Sequence, residues 1–367
     1  MQIKFVRIEN FKGIRNLEID FVDRQSGKIR PITCLFGDNG SGKTTVLQAL
    51  ALVISLATRK INNPYEFQWY GFLGDRVSTF GKTYIEVDIV LSEDEINAID
   101  EIYNKWKQYL PVQFKKDNLI APKKDSCITI IYESGRIRAK QGRGALVELL
   151  GRYYTKSSLI QRDKQDKKYF DRVGDVFWFD QYRNLGRGNY QNIEGNDVDS
   201  QKISWQAGIE VLRKHLVGWE HKRRYSTNII PEEDYLEKLQ GYLSRIFIGS
   251  KFDGLEIMPS TIDQSEPEFY FMIKRNDSRY DISEMSSGEQ AVFCVLYEFV
   301  RLNISRSIVL IDELELHLHP PEQQLLYNSL RKIGPDCQYI ITSHSPYLRD
   351  IIPEGQTLRL EGGSLCL

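Results

Sequence analysis

Two short nucleotide-binding patterns stand far apart in this chain, and their separation constrains the fold more than any other feature. Residues 37–44 read GDNGSGKT and match the pattern GxxxxGK[ST]. Residues 307–313 read SIVLIDE, an apolar strand that ends in two carboxylates. Lys43 and Asp312 are separated by most of the chain, yet both must reach the same phosphates. The sequence therefore predicts one α/β nucleotide-binding core that is split around a large insertion.

Length and charge limit the partners that such a chain can have. A length of 367 residues is enough for two or three lobes and a sizeable core. The 49 Lys and Arg nearly balance the 50 Asp and Glu, so nucleic acid would have to bind a local basic patch. The five cysteines form no CxxC pair, and the first residues, MQIKFVRIEN, alternate like a strand rather than a signal peptide. The apolar stretch 46–57 is too short to span a bilayer, so we expect a cytoplasmic protein without membrane contacts.

The first pattern provides the contacts that a polyphosphate needs. Its glycines let the backbone curve so that successive N–H groups point inward, and the strand before it and the helix after it are the required context. Lys43 places a positive charge on the β- and γ-phosphates, and Thr44 offers a hydroxyl to Mg²⁺. The residues predicted to contact ATP in this loop are Gly37, Asp38, Asn39, Gly40, Ser41, Gly42, Lys43, Thr44 and Thr45.

The second pattern provides the acidic residues of a hydrolytic site. The apolar strand 308–311 buries its side chains, so Asp312 and Glu313 emerge at its end beside the phosphate loop. We expect Asp312 to hold Mg²⁺ through water and Glu313 to deprotonate the water that attacks the γ-phosphate.

A third motif, SSGEQ at residues 286–290, predicts the start of a helix. Ser286 and Glu289 have the spacing of a capping box, and the following apolar positions form one helical face. The N–H groups and the positive dipole end of such a helix suit a γ-phosphate, which Ser286, Ser287, Gly288 and Glu289 would then approach. The alternative is an ordinary helix cap with no ligand.

In this order the motifs resemble an ABC-type ATPase head of the SMC, RecF and OLD group. Residues 286–290 resemble its signature sequence, and residues 10–14 (NFKGI) resemble its opening segment. Residues 312–320 (DELELHLHP) resemble the OLD-like acidic motif, with Leu314 in the place of the usual proline. The resemblance implies a P-loop head with a mixed central sheet, an antiparallel β subdomain and a helical insertion.

The same resemblance suggests a division of the chain into three parts. Residues 1–60 and 281–367 would form the P-loop ATPase core, and residues 61–140 an antiparallel β-rich part of the head. Residues 141–280 would form a helical insertion or lid, and its Gly-, Asn- and Asp-rich stretch 184–202 is predicted to be a mobile loop.

The resemblance also implies roles for further residues. His344 follows an apolar strand, as the switch histidine of the family does, and would donate a hydrogen bond to the γ-phosphate. Gln181, after the strand-like run 176–180, would be the glutamine-loop residue that touches Mg²⁺ and the attacking water, with Gln141 as the reserve candidate. His317 and His319 would belong to a D-loop at a dimer interface rather than to a metal site.

As a mechanism, the resemblance implies a head-to-tail dimer, or a higher oligomer, with ATP held between one chain's phosphate loop and the other's signature helix. The insertion is too short for SMC arms, no TOPRIM nuclease segment follows His344, and transporter ATPases have their two motifs closer together. What remains resembles the compact ATPase components of Septu, PARIS and retron anti-phage systems, which act with a separately encoded effector such as a nuclease.

A RecF-like DNA clamp in repair is the alternative, and it depends on two groups of basic residues. Basic residues of this kind are also common on solvent-exposed helix faces that bind nothing, and acidic residues are interspersed through the insertion. The groups are Arg136, Arg138, Lys140, Arg143 and Arg152, and then Arg213, Lys214, His215, His221, Lys222, Arg223 and Arg224.

Overall fold

The computed structural model describes residues 1–78, 80–110, 119–150, 159, 166–181, 205–225, 234–262, 267–362 and 364–366. The chain forms two compact units. The first comprises Met1–Trp178, Ser305–Leu314 and Gly334–Leu367, and the second comprises Phe179–Ile304 and Glu315–Ile333. Each unit is therefore assembled from segments that are distant in sequence.

The strands are numbered in chain order. They are β1 (Gln2–Phe11), β2 (Ile14–Asp20), β3 (Ile32–Phe36), β4 (Tyr84–Val90), β5 (Cys127–Glu133), β6 (Arg136–Ala139), β7 (Val176–Phe179), β8 (Ser250–Ile257), β9 (Phe269–Arg275), β10 (Ser278–Asp281), β11 (Ile308–Ile311), β12 (Gln338–Ser343), β13 (Thr357–Glu361) and β14 (Ser364–Cys366). The α-helices are α1 (Lys43–Ala57), α2 (Glu93–Tyr109), α3 (Arg143–Val147), α4 (Lys167–Phe170), α5 (Trp205–Tyr225), α6 (Tyr235–Ile246), α7 (Ser287–Leu302), α8 (Pro320–Ile333) and α9 (Pro346–Ile351).

A six-stranded sheet of order β14-β13-β3-β12-β11-β7 carries the phosphate loop. β3 runs parallel to β12 and to β13, and β11 runs parallel to β12. Every residue of β3, β11 and β12 is buried, which explains their continuous apolar runs. Since parallel strands end at the same edge of a sheet, the residues that follow these three strands converge there.

A second sheet of the first unit is antiparallel, with the order β2-β1-β4-β5-β6. β4 alternates buried and half-buried residues along its length, as expected for a strand with one face on the core. The sheet unites residues near the start of the chain with residues of the 61–140 segment, which was predicted to be antiparallel and β-rich.

Helix α1 lies in the core of the first unit, between the two sheets. It contacts β1, β4, β5 and β6 of the antiparallel sheet and β11 and β12 of the other. All residues from 46 to 57 are buried, which fits a helix that is apolar on every side. This double packing fixes the N-terminus of α1, where the phosphate loop ends.

The second unit combines helices with a three-stranded antiparallel sheet of order β10-β9-β8. Helix α6 packs on α7, α8 and β8, and α5 packs on β9 and α6. The segment 141–280, predicted as a helical insertion, thus also contributes strands to a sheet of its own. The short strand β10 has two exposed residues and one buried residue, so it has little apolar periodicity to reveal it in the sequence.

The predicted mobile loop 184–202 lies outside the described residues, and the three-part division of the chain remains a prediction. Among the residues that are described, no helix has both the length and the apolar character needed to cross a bilayer.

Candidate functional site

The phosphate loop joins β3 to α1 at the carboxyl edge of the parallel sheet. Gly40 and Gly42 have φ values of +81° and +98°, a region that glycine reaches without steric cost. The Lys43 ammonium donates to the carbonyl oxygens of Gly37 and Asp38 at 2.7 and 3.0 Å. The lysine charge is therefore held against the loop backbone, within reach of a phosphate bound there.

The start of α1 offers N–H donors to an anion. Gly42 is the N-cap residue and has no side chain with which to cap the helix. The first-turn N–H groups, which have no intrahelical acceptor, therefore face the loop together with the positive end of the helix dipole. Asn39 and Gly40 are exposed at the loop tip, and Thr44 and Thr45 are half-buried at the helix start.

Thr44 and Asp312 are far apart in sequence, but their side chains are in direct contact in the structure. The Thr44 hydroxyl lies 3.0 Å from each carboxylate oxygen of Asp312. Asp312 follows β11 and is fully buried. The start of α1, which follows β3, and the end of β11 thus bring together the two side chains predicted to hold Mg²⁺.

These residues also fit the chemistry of Mg²⁺. Magnesium in nucleotide sites is held by one or two protein oxygens, by substrate phosphates and by water, rather than by a cage of side chains. The Thr44 hydroxyl and the Asp312 carboxylate supply such an incomplete set. The described residues contain no cluster of three or more His, Cys, Asp or Glu side chains suited to a metal.

Glu313 follows Asp312 and adopts an unusual backbone conformation. Its φ is +49°, in the left-handed region that residues with a Cβ rarely occupy. Its N–H donates to the Thr342 hydroxyl at 2.8 Å, and its side chain is half-buried. The turn directs the chain away from β11 directly after the buried aspartate.

His344 lies at the same edge, immediately after β12, and its side chain is exposed. A cavity of about 1080 Å³ opens beside it and is lined by Gly37 and Asp38 of the phosphate loop. Arg349 of α9 and Arg359 of β13 also contribute to its wall. The predicted switch histidine is therefore adjacent to the start of the phosphate loop.

The motif SSGEQ forms the predicted helix cap in the second unit. Ser286 is the N-cap of α7, and both halves of a capping box with Glu289 are present. Tyr280 Oη and Arg275 Nη1 also donate to Glu289, at 2.8 and 3.0 Å. Ser287 is exposed at the first position of the helix, so the cap presents its N–H groups outward.

Glu289 is held as a carboxylate by these donors. Burial alone would raise the pKa of Glu289, but the hydrogen bonds from Tyr280 and Ser286 and the charge of Arg275 outweigh it and keep this pKa below its ordinary value. The pKa of Tyr280 is raised by burial and by its bond to Glu289, so Tyr280 remains a donor at neutral pH.

The segment that contains His317 and His319 packs against the start of α7. Both histidines are exposed, and Leu318 donates its N–H to the carbonyl of Glu315 at 2.9 Å. A Cβ added to Gly288 would lie 2.6 Å from the His317 carbonyl oxygen. Glycine at position 288 is therefore required for the close approach of the signature helix and the predicted D-loop.

The glutamine candidates occupy different surroundings. Gln181 lies in a turn directly after β7, as predicted from the strand-like run 176–180. Gln141 uses its amide to bind the backbone of β5: it accepts from Thr129 N–H at 3.1 Å and donates to the Cys127 carbonyl at 3.3 Å. This edge contact suits a structural role for Gln141, and the role of Gln181 stays a prediction.

Sequence reasoning missed Thr342, Tyr280 and Arg275. Thr342 is fully buried at the end of an apolar strand. A polar threonine that follows two isoleucines, in the run IITSH at residues 340–344, was the one sign of its role in the sequence. Tyr280 of β10 and Arg275 of β9 bind the cap of α7, and nothing in their local sequence marks them.

Comparisons with known proteins agree with these motifs. Residues 148–350, more than half of the chain, match the family model described as "AAA domain, putative AbiEii toxin, Type IV TA system". Residues 1–177 match the model described as "AAA ATPase domain".

Three curated proteins resemble the chain over most of its length. It is 20% identical to the retron Vc95 probable ATPase of Vibrio cholerae serotype O1 biovar El Tor, with 88% of this chain and 68% of that protein covered. It is 23% identical to the retron Ec83 probable ATPase of Escherichia coli, with 99% and 72% covered. It is 24% identical to the Septu protein PtuA of Bacillus mycoides (strain KBAB4), and this match covers 98% of the present chain and 40% of PtuA.

The solved structure of an SMC head bound to the C-terminal winged-helix domain of ScpA shares the fold. The TM-score is 0.53 at 13% sequence identity, and the match covers 100% of this chain and 96% of the other. The predicted fold, an ATPase head with a mixed central sheet, is confirmed. The chain therefore belongs to the AAA-domain family of that description and is an AAA-type ATPase with an SMC-like head.

Proposed function

We propose that this protein is a Mg²⁺-dependent ATPase that forms an ATP-bridged head-to-tail dimer and thereby gates a separate effector, in bacterial anti-phage defence. The observation that carries the enzymatic part is the contact between Thr44 and Asp312 beside the phosphate loop. The part concerning defence rests on the likeness to retron ATPases and to Septu PtuA.

The phosphate loop binds and orients the substrate in this proposal. The Lys43 ammonium exchanges its loop carbonyl partners for the β- and γ-phosphates, and the N–H groups at the start of α1 hold the phosphate oxygens. Mg²⁺, when bound, supplies positive charge to the phosphate oxygens as the terminal P–O bond breaks. Thr44 and Asp312 are the residues that would hold it.

Glu313 acts as the base for the attacking water. The half-buried carboxylate follows Asp312 directly, and so can lie on the γ-phosphate side of the site. It accepts a proton from the water as that water attacks the γ-phosphate. His344, with Gln181 as a further candidate, then contacts the γ-phosphate side and responds to its loss.

The signature helix gives the proposal its dimer. Its cap presents Ser287 to solvent at the positive end of α7, and this residue, with the N–H groups of the first turn, would meet the γ-phosphate of a nucleotide held by the partner chain. ATP then holds the interface closed, and hydrolysis opens it. An effector such as a nuclease that recognises one of the two states is gated by the nucleotide.

Two substitutions test the enzymatic part of the proposal. Lys43→Ala should abolish ATP binding, because no other described loop side chain brings a positive charge to the phosphates. Glu313→Gln should bind ATP normally and lower turnover by about 10²–10⁴-fold, the usual contribution of a general base. Equilibrium binding of a fluorescent ATP analogue and steady-state phosphate release measure the two effects.

Either of two results would contradict the assignment. Normal nucleotide affinity in Lys43→Ala would exclude this loop as the phosphate site, provided that the variant keeps the wild-type melting temperature. Wild-type turnover in Glu313→Gln would exclude Glu313 as the base.

The alternative function, a DNA clamp, depends on two groups of basic residues, and three arginines of the second group, all in α5, form ion pairs. Arg213 pairs with Asp281 at 2.5 Å and is mostly buried. Arg223 pairs with Glu237 at 3.2 Å, and Arg224 with Glu220 at 2.7 Å. These pairs reduce the positive charge that α5 offers to a phosphate backbone.

Turnover with and without linear duplex DNA separates the two functions. Turnover that is indifferent to DNA is expected for the gated dimer. Stimulation by DNA that fades as salt is added would instead favour the clamp, because contacts with phosphates release counterions. The Glu313→Gln variant provides the background rate.

A further inference from the structure

We propose that Thr342 is a positioning residue that holds Asp312 and Glu313 in their working geometry. The inference rests on the proposed ATPase function and deepens it. Thr342 itself touches neither substrate nor metal in this scheme and acts only through its two neighbours.

The register of the parallel sheet places Thr342 beside the acidic pair. In the pairing of β11 with β12, Ile311 lies opposite Ile341. One residue further along, Asp312 and Thr342 are therefore neighbours at the strand ends. Thr342 is fully buried there, where a hydroxyl is expected to have hydrogen-bond partners.

The Thr342 hydroxyl binds both members of the acidic pair. It donates to Asp312 Oδ1 at 2.6 Å and accepts the Glu313 N–H at 2.8 Å. Since a hydroxyl has a single proton, these contacts fix its direction, with the proton toward the carboxylate and a lone pair toward the amide. A serine can reproduce this arrangement, and a valine cannot.

The contacts of Thr342 also hold the left-handed backbone of Glu313. Next to the hydroxyl contact, the Thr342 carbonyl accepts the Leu314 N–H at 3.1 Å. The two amides on either side of the strained Glu313 Cα are thus both bound to one residue. Strained backbone persists where surrounding contacts over-determine it, and here Thr342 provides two such contacts.

Asp312 needs this support most when Thr44 changes partner. The Thr44 hydroxyl contacts Asp312 in the structure, but it would turn to the metal during the reaction. The bond from Thr342 would then keep the Asp312 carboxylate in place as a residue that could hold the metal. Removing partners of this kind typically lowers metal affinity or activity by about 10–100-fold.

The test compares variants of nearly equal volume. Thr342→Val removes the hydroxyl, Thr342→Ser keeps it, and Thr342→Cys keeps a weaker donor and acceptor. Thr33→Val is the matched control: Thr33 is equally buried in β3, and its hydroxyl has no hydrogen-bond partner among the described residues.

We expect Thr342→Val to lower kcat by about 10–100-fold with little change in KM for ATP, and to raise the Mg²⁺ concentration that half-saturates nucleotide binding. Thr342→Ser should stay close to wild type, Thr342→Cys should be intermediate, and Thr33→Val should have no effect. Amide hydrogen exchange adds a readout that needs no nucleotide. The Glu313 and Leu314 amides should exchange faster in Thr342→Val and at the wild-type rate in Thr342→Ser.

The outcomes separate this inference from the proposed function. Wild-type kcat and unchanged amide exchange in Thr342→Val would overturn the role of Thr342. Equal losses in the Val and Ser variants, together with lower melting temperatures, would show a merely structural role and overturn it too. Should wild-type protein fail to hydrolyse ATP, the proposed function fails, and the exchange rates still decide the inference. Should Thr342→Val not fold, the Cys variant supplies the comparison.

Discussion

The first glycine of the phosphate loop shows how one residue meets two requirements. A Cβ added to Gly37 would lie 2.3 Å from the Leu360 carbonyl oxygen and 2.6 Å from Ser41 Oγ. Leu360 belongs to β13, which pairs with β3. Glycine at this position therefore permits the loop to leave β3 against the neighbouring strand, in addition to any contact that it makes with a phosphate.

We predict that Gly37→Ala destabilises the protein by about 1–3 kcal/mol, because backbone atoms must move to admit the methyl group. Chemical denaturation without nucleotide measures the effect. Gly13→Ala is the control, since a Cβ at Gly13 meets no atom within 4 Å. Equal stability of the two variants would show that the close approach at Gly37 does not constrain the loop.

Side chains from another part of the second unit hold the start of α7 in place. Its cap residue Glu289 receives donors from Tyr280 and Arg275, on β10 and β9. Arg275 also lies 3.7 Å from Glu322 in α8. A hairpin thus supports the start of the signature helix from the side, and its residues adjust the orientation of the N–H groups that the helix presents.

We predict that Tyr280→Phe costs about 0.5–1.5 kcal/mol of stability, the usual contribution of one hydrogen bond. In a double-mutant cycle with Glu289→Ala, the two losses should be coupled rather than additive, because both remove the same contact. Urea unfolding of the four proteins gives the coupling energy. Strict additivity would show that Tyr280 stabilises the unit by other contacts.

The Glu289 carboxylate should also make the stability of the folded protein depend on pH. The pKa of Glu289 is lower in the folded protein than its ordinary value of 4.5, so its contribution to stability is present above that value and is lost as the pH falls through the folded pKa. The stability difference between wild type and Glu289→Gln should therefore shrink from neutral pH to about pH 3.5. A difference that stays constant over this range would exclude an ionised Glu289 as its source.

At the scale of the molecule, the predicted motifs are divided between the two units. The phosphate loop, Asp312, Glu313 and His344 belong to the first, and Gln181, the signature cap and the residues 315–319 to the second. In the proposed dimer each bound ATP needs the first set from one chain and the signature cap from the other. A variant that binds but does not hydrolyse ATP should therefore accumulate the closed form.

We predict that Glu313→Gln with saturating ATP elutes as a dimer, at twice the chain mass of 42.7 kDa. Light scattering coupled to size exclusion measures this mass. The same protein without nucleotide, and Lys43→Ala with ATP, should not show the ATP-dependent increase. A single mass for Glu313→Gln under all conditions would contradict nucleotide-dependent dimerisation.

Several features were predictable from the sequence because they depend on neighbouring residues. The phosphate loop lies between a strand and a helix, as its glycine spacing indicated, and Ser286 and Glu289 form the predicted capping box. Both are local: a loop conformation and a helix cap are set by residues a few positions apart. The fold of an ATPase head followed from the order of such motifs along the chain.

Other features were decided only by the tertiary structure. The contacts of Asp312 with Thr44 and with Thr342 require β3, β12 and β11 to lie side by side in one register, which no local pattern specifies. The support of α7 by Tyr280 likewise requires β10 to pair with β9 in a hairpin beside α7, and no local pattern specifies that placement. Sequence alone determined which groups could handle a nucleotide, because that is a matter of residue type and short spacing. The packing of distant strands determined which buried side chains hold those groups in place, because side-chain geometry depends on neighbours that only the fold brings together.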